Sequence, residues 1–127
     1  MIVVDASAAT AALLNDGPAR HALANEQLHA PHLIDVEVAS GLRRAVLART
    51  ISAEAGKAAL GVMGNLAFTR YPVVGLLDRL WELRDDVSAY DACYLALAET
   101  LGCALLTADA RLSRAAGIDC VVTVVPR

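Results

Sequence analysis

The chain has 127 residues, a length that suits one domain and leaves no room for two cores. Hydrophobic residues make up 57% and charged residues 20%, which excludes disorder, and no apolar stretch is long enough for a membrane span. The net charge of −3 excludes the basic footprint of a general nucleic-acid binder.

Met1 to Asp5 carries no basic leader and ends on a carboxylate, so it reads as the first strand rather than a signal segment, and a cytoplasmic protein is expected. Ile2 to Val4 is a short β-branched run. Ser7 to Asn15 and Pro18 to Ala24 read as helices separated by Gly17-Pro18. Gln27 to Ala30 is a weak strand, followed by helices over His32 to Ala48 and Ser52 to Ala67. Phe68 to Val74 is a third strand with Pro72 inside it. In Gly75 to Asp85, Leu76, Leu77, Leu80, Trp81 and Leu83 recur at spacings of three and four, which predicts a helix with one buried face. A helix over Ser88 to Leu101 leads to a strand over Ala104 to Thr107, a helix over Ala110 to Ala116, and a last strand over Cys120 to Val124.

Strands and helices that alternate through short connections predict an α/β fold, with five mainly parallel strands covered by helices on both faces. Residues 1–127 form a single domain in this reading. Cys93, Cys103 and Cys120 are odd in number and spaced for neither a disulfide framework nor a zinc knuckle, so they read as buried free thiols. A phosphate-cradling loop is excluded, because Ile51 stands at its first glycine position and Ala58 follows Lys57. No Gly-x-Ser-x-Gly turn is present for a serine nucleophile. His29 and His32 flank Pro31, so no continuous helix presents both to a metal.

Four acids remain in suggestive places. Asp5 follows the first strand and Asp109 follows the fourth, at the carboxyl ends where open parallel sheets hold their functional crevice. Glu37 and Asp91 lie early in helices among apolar neighbours. Each has an ordinary explanation: Asp5 or Ser7 as a helix cap, Asp109 as a cap for Ala110, Ser88 and Asp91 as a capping box, and Glu37 paired with Arg44. If all four converge, their mutual repulsion requires a cation, and an all-oxygen set suits Mg²⁺, with Mn²⁺ as a substitute. Such a site commonly works on phosphate esters, so phosphodiester hydrolysis is the leading chemistry. Ser7 and Thr107, each two residues from a candidate ligand, are placed to orient carboxylates, to hold water at the metal, or simply to cap, and both are candidate substrate contacts.

The segments MIVVDASA at Met1 to Ala8, APHLIDVEVASGLRR at Ala30 to Arg44, SAYDACYLALAE at Ser88 to Glu99 and LLTADARL at Leu105 to Leu112 occur in that order. With them the chain resembles the PIN-domain family, and within it the VapC-type ribonuclease toxins of bacterial toxin–antitoxin pairs. The resemblance spans nearly the whole chain and implies a three-layer sandwich around a five-stranded parallel sheet. It implies an endoribonuclease with a Mg²⁺ site of Asp5, Glu37, Asp91 and Asp109. In the picture the resemblance implies, Asp5, Asp91 and Asp109 hold the metal directly or through water, and Glu37 completes the cluster and positions or deprotonates the attacking water. Asp35 matches no required family position and stands in reserve. The resemblance further implies a homodimer, inhibition by a cognate antitoxin, and promoter DNA bound only through the antitoxin.

An RNA substrate has to be reconciled with an acidic chain. Without the four proposed metal-site acids, the net charge becomes +1, and ten of the eleven basic residues are arginine, whose fork suits phosphate. Arg44 shares a helical face with Glu37 and is the preferred phosphate contact, pairing with an acid being its alternative. Aromatic residues at 4% argue against a base-stacking platform. A haloacid-dehalogenase-like phosphatase needs a second Asp where Ser7 stands, and a phosphoacceptor receiver domain needs paired early acids and a late lysine. The stronger rival is a non-catalytic protein of the same fold that binds RNA or regulates a partner, with the acids serving only as caps.

Overall fold

A computed structural model describes all 127 residues. Five strands form one parallel sheet in the order β3-β2-β1-β4-β5. β1 (Ile2–Val4) lies at the centre with all three residues buried. β2 (Leu28–Pro31) pairs on one side with Ile2 opposite Leu28, and β4 (Ala104–Thr107) on the other with Val3 opposite Leu105. β3 (Phe68–Tyr71) and β5 (Val122–Val124) are the edges.

Helices α1 (Ala6–Leu14) and α2 (Pro18–Asn25) connect β1 to β2, and α3 (Ile34–Leu47) and α4 (Ala53–Asn65) connect β2 to β3. The chain then returns through α5 (Leu77–Glu82) and α6 (Ala89–Leu101) to place β4 on the far side of β1. Right-handed crossovers that travel in opposite directions cover opposite faces, which gives the three expected layers. The reversal of direction between β1 and β4 opens a crevice at their carboxyl ends. Asp5 follows the end of β1 directly, and Asp109 lies two residues past the end of β4.

Small residues set the spacing of the layers. In α1 the buried positions are Ala8, Ala9, Ala11 and Ala12, so neighbouring backbones approach closely. A Cβ built on Gly41 of α3 would lie 3.3 Å from Thr10 Oγ1 of α1, which accounts for glycine there. In α6 every residue from Ala92 to Ala98 is buried, the mark of a helix enclosed on all sides. Its N-terminus is capped by Ser88 Oγ, which accepts from the Asp91 N–H. Its C-terminus ends at Gly102 in the left-handed region with φ 66°, a conformation that glycine adopts without strain.

Several boundaries differ from the sequence reading. β3 stops at Tyr71, since Pro72 has no N–H for the ladder. The expected helix over Gly75 to Asp85 is a 3₁₀ turn at Val74–Leu76 followed by the short α5. Its predicted buried face is only partly buried: Leu76 and Leu83 are buried and Leu80 half-buried, but Leu77 is 53% and Trp81 69% exposed. A two-turn helix at the rim covers one strip of side chains, and Leu77 and Trp81 occupy the next strip. The segment after β4 is a 3₁₀ turn over Ala110–Arg114 rather than an α-helix to Ala116, and β5 begins at Val122. All three cysteines are free thiols, but only Cys93 is buried, Cys103 and Cys120 being half-buried. No helix is long and apolar enough to cross a membrane.

Candidate active site

The four singled-out acids line one cavity of about 670 Å³ at the carboxyl ends of β1 and β4. Asp5 arrives from the end of β1, Glu37 from the first turn of α3, Asp91 from the first turn of α6 and Asp109 from the turn after β4. Two of the ordinary capping roles, those of Asp5 and Asp109, are present as well, whereas the Asp91 carboxylate returns no bond to the Ser88 N–H. Asp5 caps α1 by accepting from the Ala8 N–H at 2.9 Å, and Asp109 caps its 3₁₀ turn by accepting from the Arg111 N–H at 3.0 Å. Capping fixes the carboxylates in place and does not remove them from the cavity.

Asp5 is the most constrained. Only 5% of it is exposed, and its carboxylate accepts from Ser7 Oγ at 2.6 Å and from Thr107 Oγ1 at 2.5 Å. Thr107 is fully buried, accepts from the Asp109 N–H, and so stands behind Asp5 rather than in the cavity. Ser7 lies on the cavity wall, and its hydroxyl also accepts from the Ala108 N–H. Both hydroxyls therefore orient a carboxylate and tie β1 to the end of β4. Neither is presented as a free substrate contact.

Burial pushes the Asp5 carboxyl above the usual range, against the pull of its hydrogen bonds from Ser7, Thr107 and Ala8, and Asp91 adds repulsion. Glu37 is raised by burial and by the charges of Asp91 and Asp5, with the Tyr94 hydrogen bond opposing. Asp91 is raised by burial first, then by Asp109, with Ser88 opposing. Three acids in one cavity thus disfavour their own ionisation. Asp109 behaves oppositely: Arg111 grips it with Nη2 at 2.6 Å and holds its carboxyl below the usual range.

As the side chains stand, no three His, Cys, Asp or Glu residues are grouped so as to hold a metal ion. The donor set nevertheless fits a hard divalent cation, because it is all oxygen and its members repel one another through a shared cavity. The fourth carboxylate is occupied by a guanidinium.

The remaining candidates sort clearly. Arg44 lines the cavity and forms no ion pair, contrary to the alternative that joins it to Glu37; its Nη1 donates to Ser40 Oγ at 3.1 Å. Asp35 lies outside the cavity, where Arg70 holds both of its oxygens at 2.7 and 2.8 Å, so the reserve position is structural. The surroundings of Glu37 and Asp91 are more open than their apolar neighbours suggest, since Val36 and Tyr90 are 73% and 64% exposed.

Four residues at or beside the cavity escaped the sequence reading. Tyr94 donates its hydroxyl to Glu37 Oε1 and lies one helical turn beyond Asp91, a spacing that signals a shared face. Tyr90 and Arg127 also line the cavity. Arg111 grips Asp109 from only two residues away, which local sequence does not reveal.

A sequence model of the family described as PIN domain matches residues 2–118. Ribonuclease VapC9 of Mycobacterium tuberculosis is 61% identical over 127 residues, 100% of both chains. The crystal structure of Mycobacterium tuberculosis VapC20, described as a sarcin–ricin loop cleaving toxin, superposes with a TM-score of 0.67 at 21% identity, covering 94% of this chain and 97% of that one. VapBC2 from Rickettsia felis, solved bound to a DNA fragment from its promoter, gives a TM-score of 0.71 at 11% identity, covering 98% and 99%. At these identities the two structures establish the fold. Between the profile that spans most of the residues and a ribonuclease that aligns from end to end, the chain belongs to the PIN-domain family and, within it, to the VapC ribonucleases.

Proposed function

We propose that the carboxylate cavity is the active site of an endoribonuclease, the toxin of a toxin–antitoxin pair, and that it works with a divalent cation, Mg²⁺ or Mn²⁺. The observation that carries this reading is the arrival of Asp5, Glu37, Asp91 and Asp109 in one cavity at the sheet's crossover point. Bound there, the cation supplies charge neutralisation at the scissile phosphodiester and a more acidic water.

The chain's own residues do the rest. Asp5 is a rigid anchor for the cation: its oxygens accept three hydrogen bonds, which leaves one lone pair of Oδ2 unused on a residue that lines the cavity. Asp91 and Asp109 are the further ligands. Glu37 is held at Oε1 by Tyr94, and its Oε2 is free to take a proton from the attacking water. Arg44 on the cavity wall contacts an RNA phosphate, and the exposed ring of Tyr90 offers one base a stacking surface. A single ring fits recognition of a loop or single strand better than a stacking platform does.

The same reading includes a cytoplasmic homodimer held inactive by a cognate antitoxin, with promoter DNA contacted only through that antitoxin. For the antitoxin and the promoter contact, support comes from membership of the VapC ribonucleases and from the likeness of fold to the VapBC2 complex. The test is to incubate the purified chain, freed of any partner, with total tRNA and ribosomal RNA in Mg²⁺, in EDTA, and in Mg²⁺ with Asp5→Asn. Discrete fragments from the wild type in Mg²⁺ alone are expected. Equal cleavage in EDTA, or by the variant, overturns the assignment.

A further inference from the structure

Asp91 lines both the carboxylate cavity and a second cavity of about 590 Å³, whose walls include Arg111 and Arg114. Arg111 belongs to the second cavity but reaches back to Asp109 on the first, with Nε at 3.1 and 3.2 Å and Nη2 at 2.6 Å from its carboxylate oxygens. Both oxygens of Asp109 are thereby occupied, and Oδ1 accepts the Arg111 N–H as well. Arg111 has no other side-chain partner and its side chain is 79% exposed against 16% for Asp109, so the guanidinium reaches the carboxylate from solvent and leaves it without disturbing the packing around Asp109.

We infer that Arg111 is a positioning residue that trades Asp109 for an RNA phosphate as the cation site fills, and this rests on the endoribonuclease reading above. Asp109 can serve a cation with both oxygens only after Arg111 lets go. The released guanidinium then stands at the junction of the two cavities, on the path of a strand that leaves the carboxylates toward Arg114. Its planar fork suits a phosphate as well as a carboxylate. Cation binding and RNA binding thereby favour each other, since each draws Arg111 away from Asp109.

The experiment titrates Mn²⁺ calorimetrically into the full-length wild type, Arg111→Ala and Arg111→Lys. Without its internal competitor, Arg111→Ala takes up Mn²⁺ roughly two- to fivefold more tightly, the equivalent of an exposed ion pair, with Arg111→Lys between. A fluorescent single-stranded DNA oligonucleotide, which a ribonuclease leaves intact, then reports phosphate contacts. Adding Mn²⁺ steepens the salt dependence of its binding more in the wild type than in Arg111→Ala, by a slope of about 0.7. Equal Mn²⁺ affinity in the wild type and Arg111→Ala, or equal steepening, overturns the exchange while leaving the cation site standing. Wild type that takes up no Mn²⁺ overturns the cation site and the exchange together.

Discussion

Tyr94 on α6 donates its hydroxyl to Glu37 on α3 at 2.6 Å, so two helices from different crossovers meet in one hydrogen bond at the cavity. The bond orients Glu37 and favours its charged form. Tyr94→Phe keeps the packing and removes the bond, at a cost of about 1 kcal/mol in stability. Cleavage falls roughly ten- to a hundredfold, as expected for loss of an orienting partner. The Glu37 carboxyl rises further without Tyr94, so the ascending limb of the pH–rate profile moves to higher pH. An unshifted profile would separate Glu37 from the proton transfer.

The raised carboxyls also predict how the cation-free protein melts. Asp5, Glu37 and Asp91 have folded-state pKa values above their unfolded ones, so ionisation favours the unfolded chain. Their contribution is most favourable at low pH and declines as the pH rises through the raised values. Asp109 is lowered, so its contribution is present above its unfolded pKa and is lost as the pH falls through the depressed value. Melting temperature in EDTA therefore declines as the pH rises above the ordinary carboxylate range, and Mg²⁺ restores it. Asp5→Asn flattens this decline and reduces cleavage at least about a hundredfold. A melting curve indifferent to both pH and Mg²⁺ would contradict the shared-charge cavity.

Arg44 lines the cavity without an anionic partner. Arg44→Ala raises KM for RNA with a smaller effect on kcat, and the salt slope of binding to a single strand falls by about 0.7. Thermal stability stays within about 0.5 kcal/mol, as for an exposed substitution. An unchanged salt slope would remove Arg44 from the phosphate path.

Asp35 supplies a control within the same helix. Its carboxylate is tied to Arg70 outside the cavity. Asp35→Asn is expected to cost about 1 kcal/mol or less and to leave cleavage unchanged. Loss of activity in this variant with its fold intact would bring Asp35 and Arg70 into the site.

The parts of this protein legible in its sequence are those governed by local chemistry. The β-branched run of Ile2 to Val4 and the Ser88 cap specify their elements within a few residues, and both stand where expected. The four acids were legible because strand ends and first helical turns converge on the sheet's crossover. Leu77 and Trp81 were not, since periodicity marks an apolar strip without saying whether anything covers it. The tie between Asp35 and Arg70 joins α3 to the edge strand β3 across 35 residues, and no spacing rule reaches that far. Arg111 was hidden for the opposite reason: it lies so near Asp109 that only the tight 3₁₀ turn bends one back onto the other.

Thr107 meets Asp5 across 102 residues of chain, and Ser7 meets the Ala108 N–H across 101. The first carboxylate is therefore made early on the ribosome and locked late, after β4 has emerged and paired beside β1. A partly synthesised chain holds Asp5 and Glu37 but has no finished cavity. Anything that loosens the pairing of β4 beside β1 therefore loosens Asp5 with it, however well the first helix is capped.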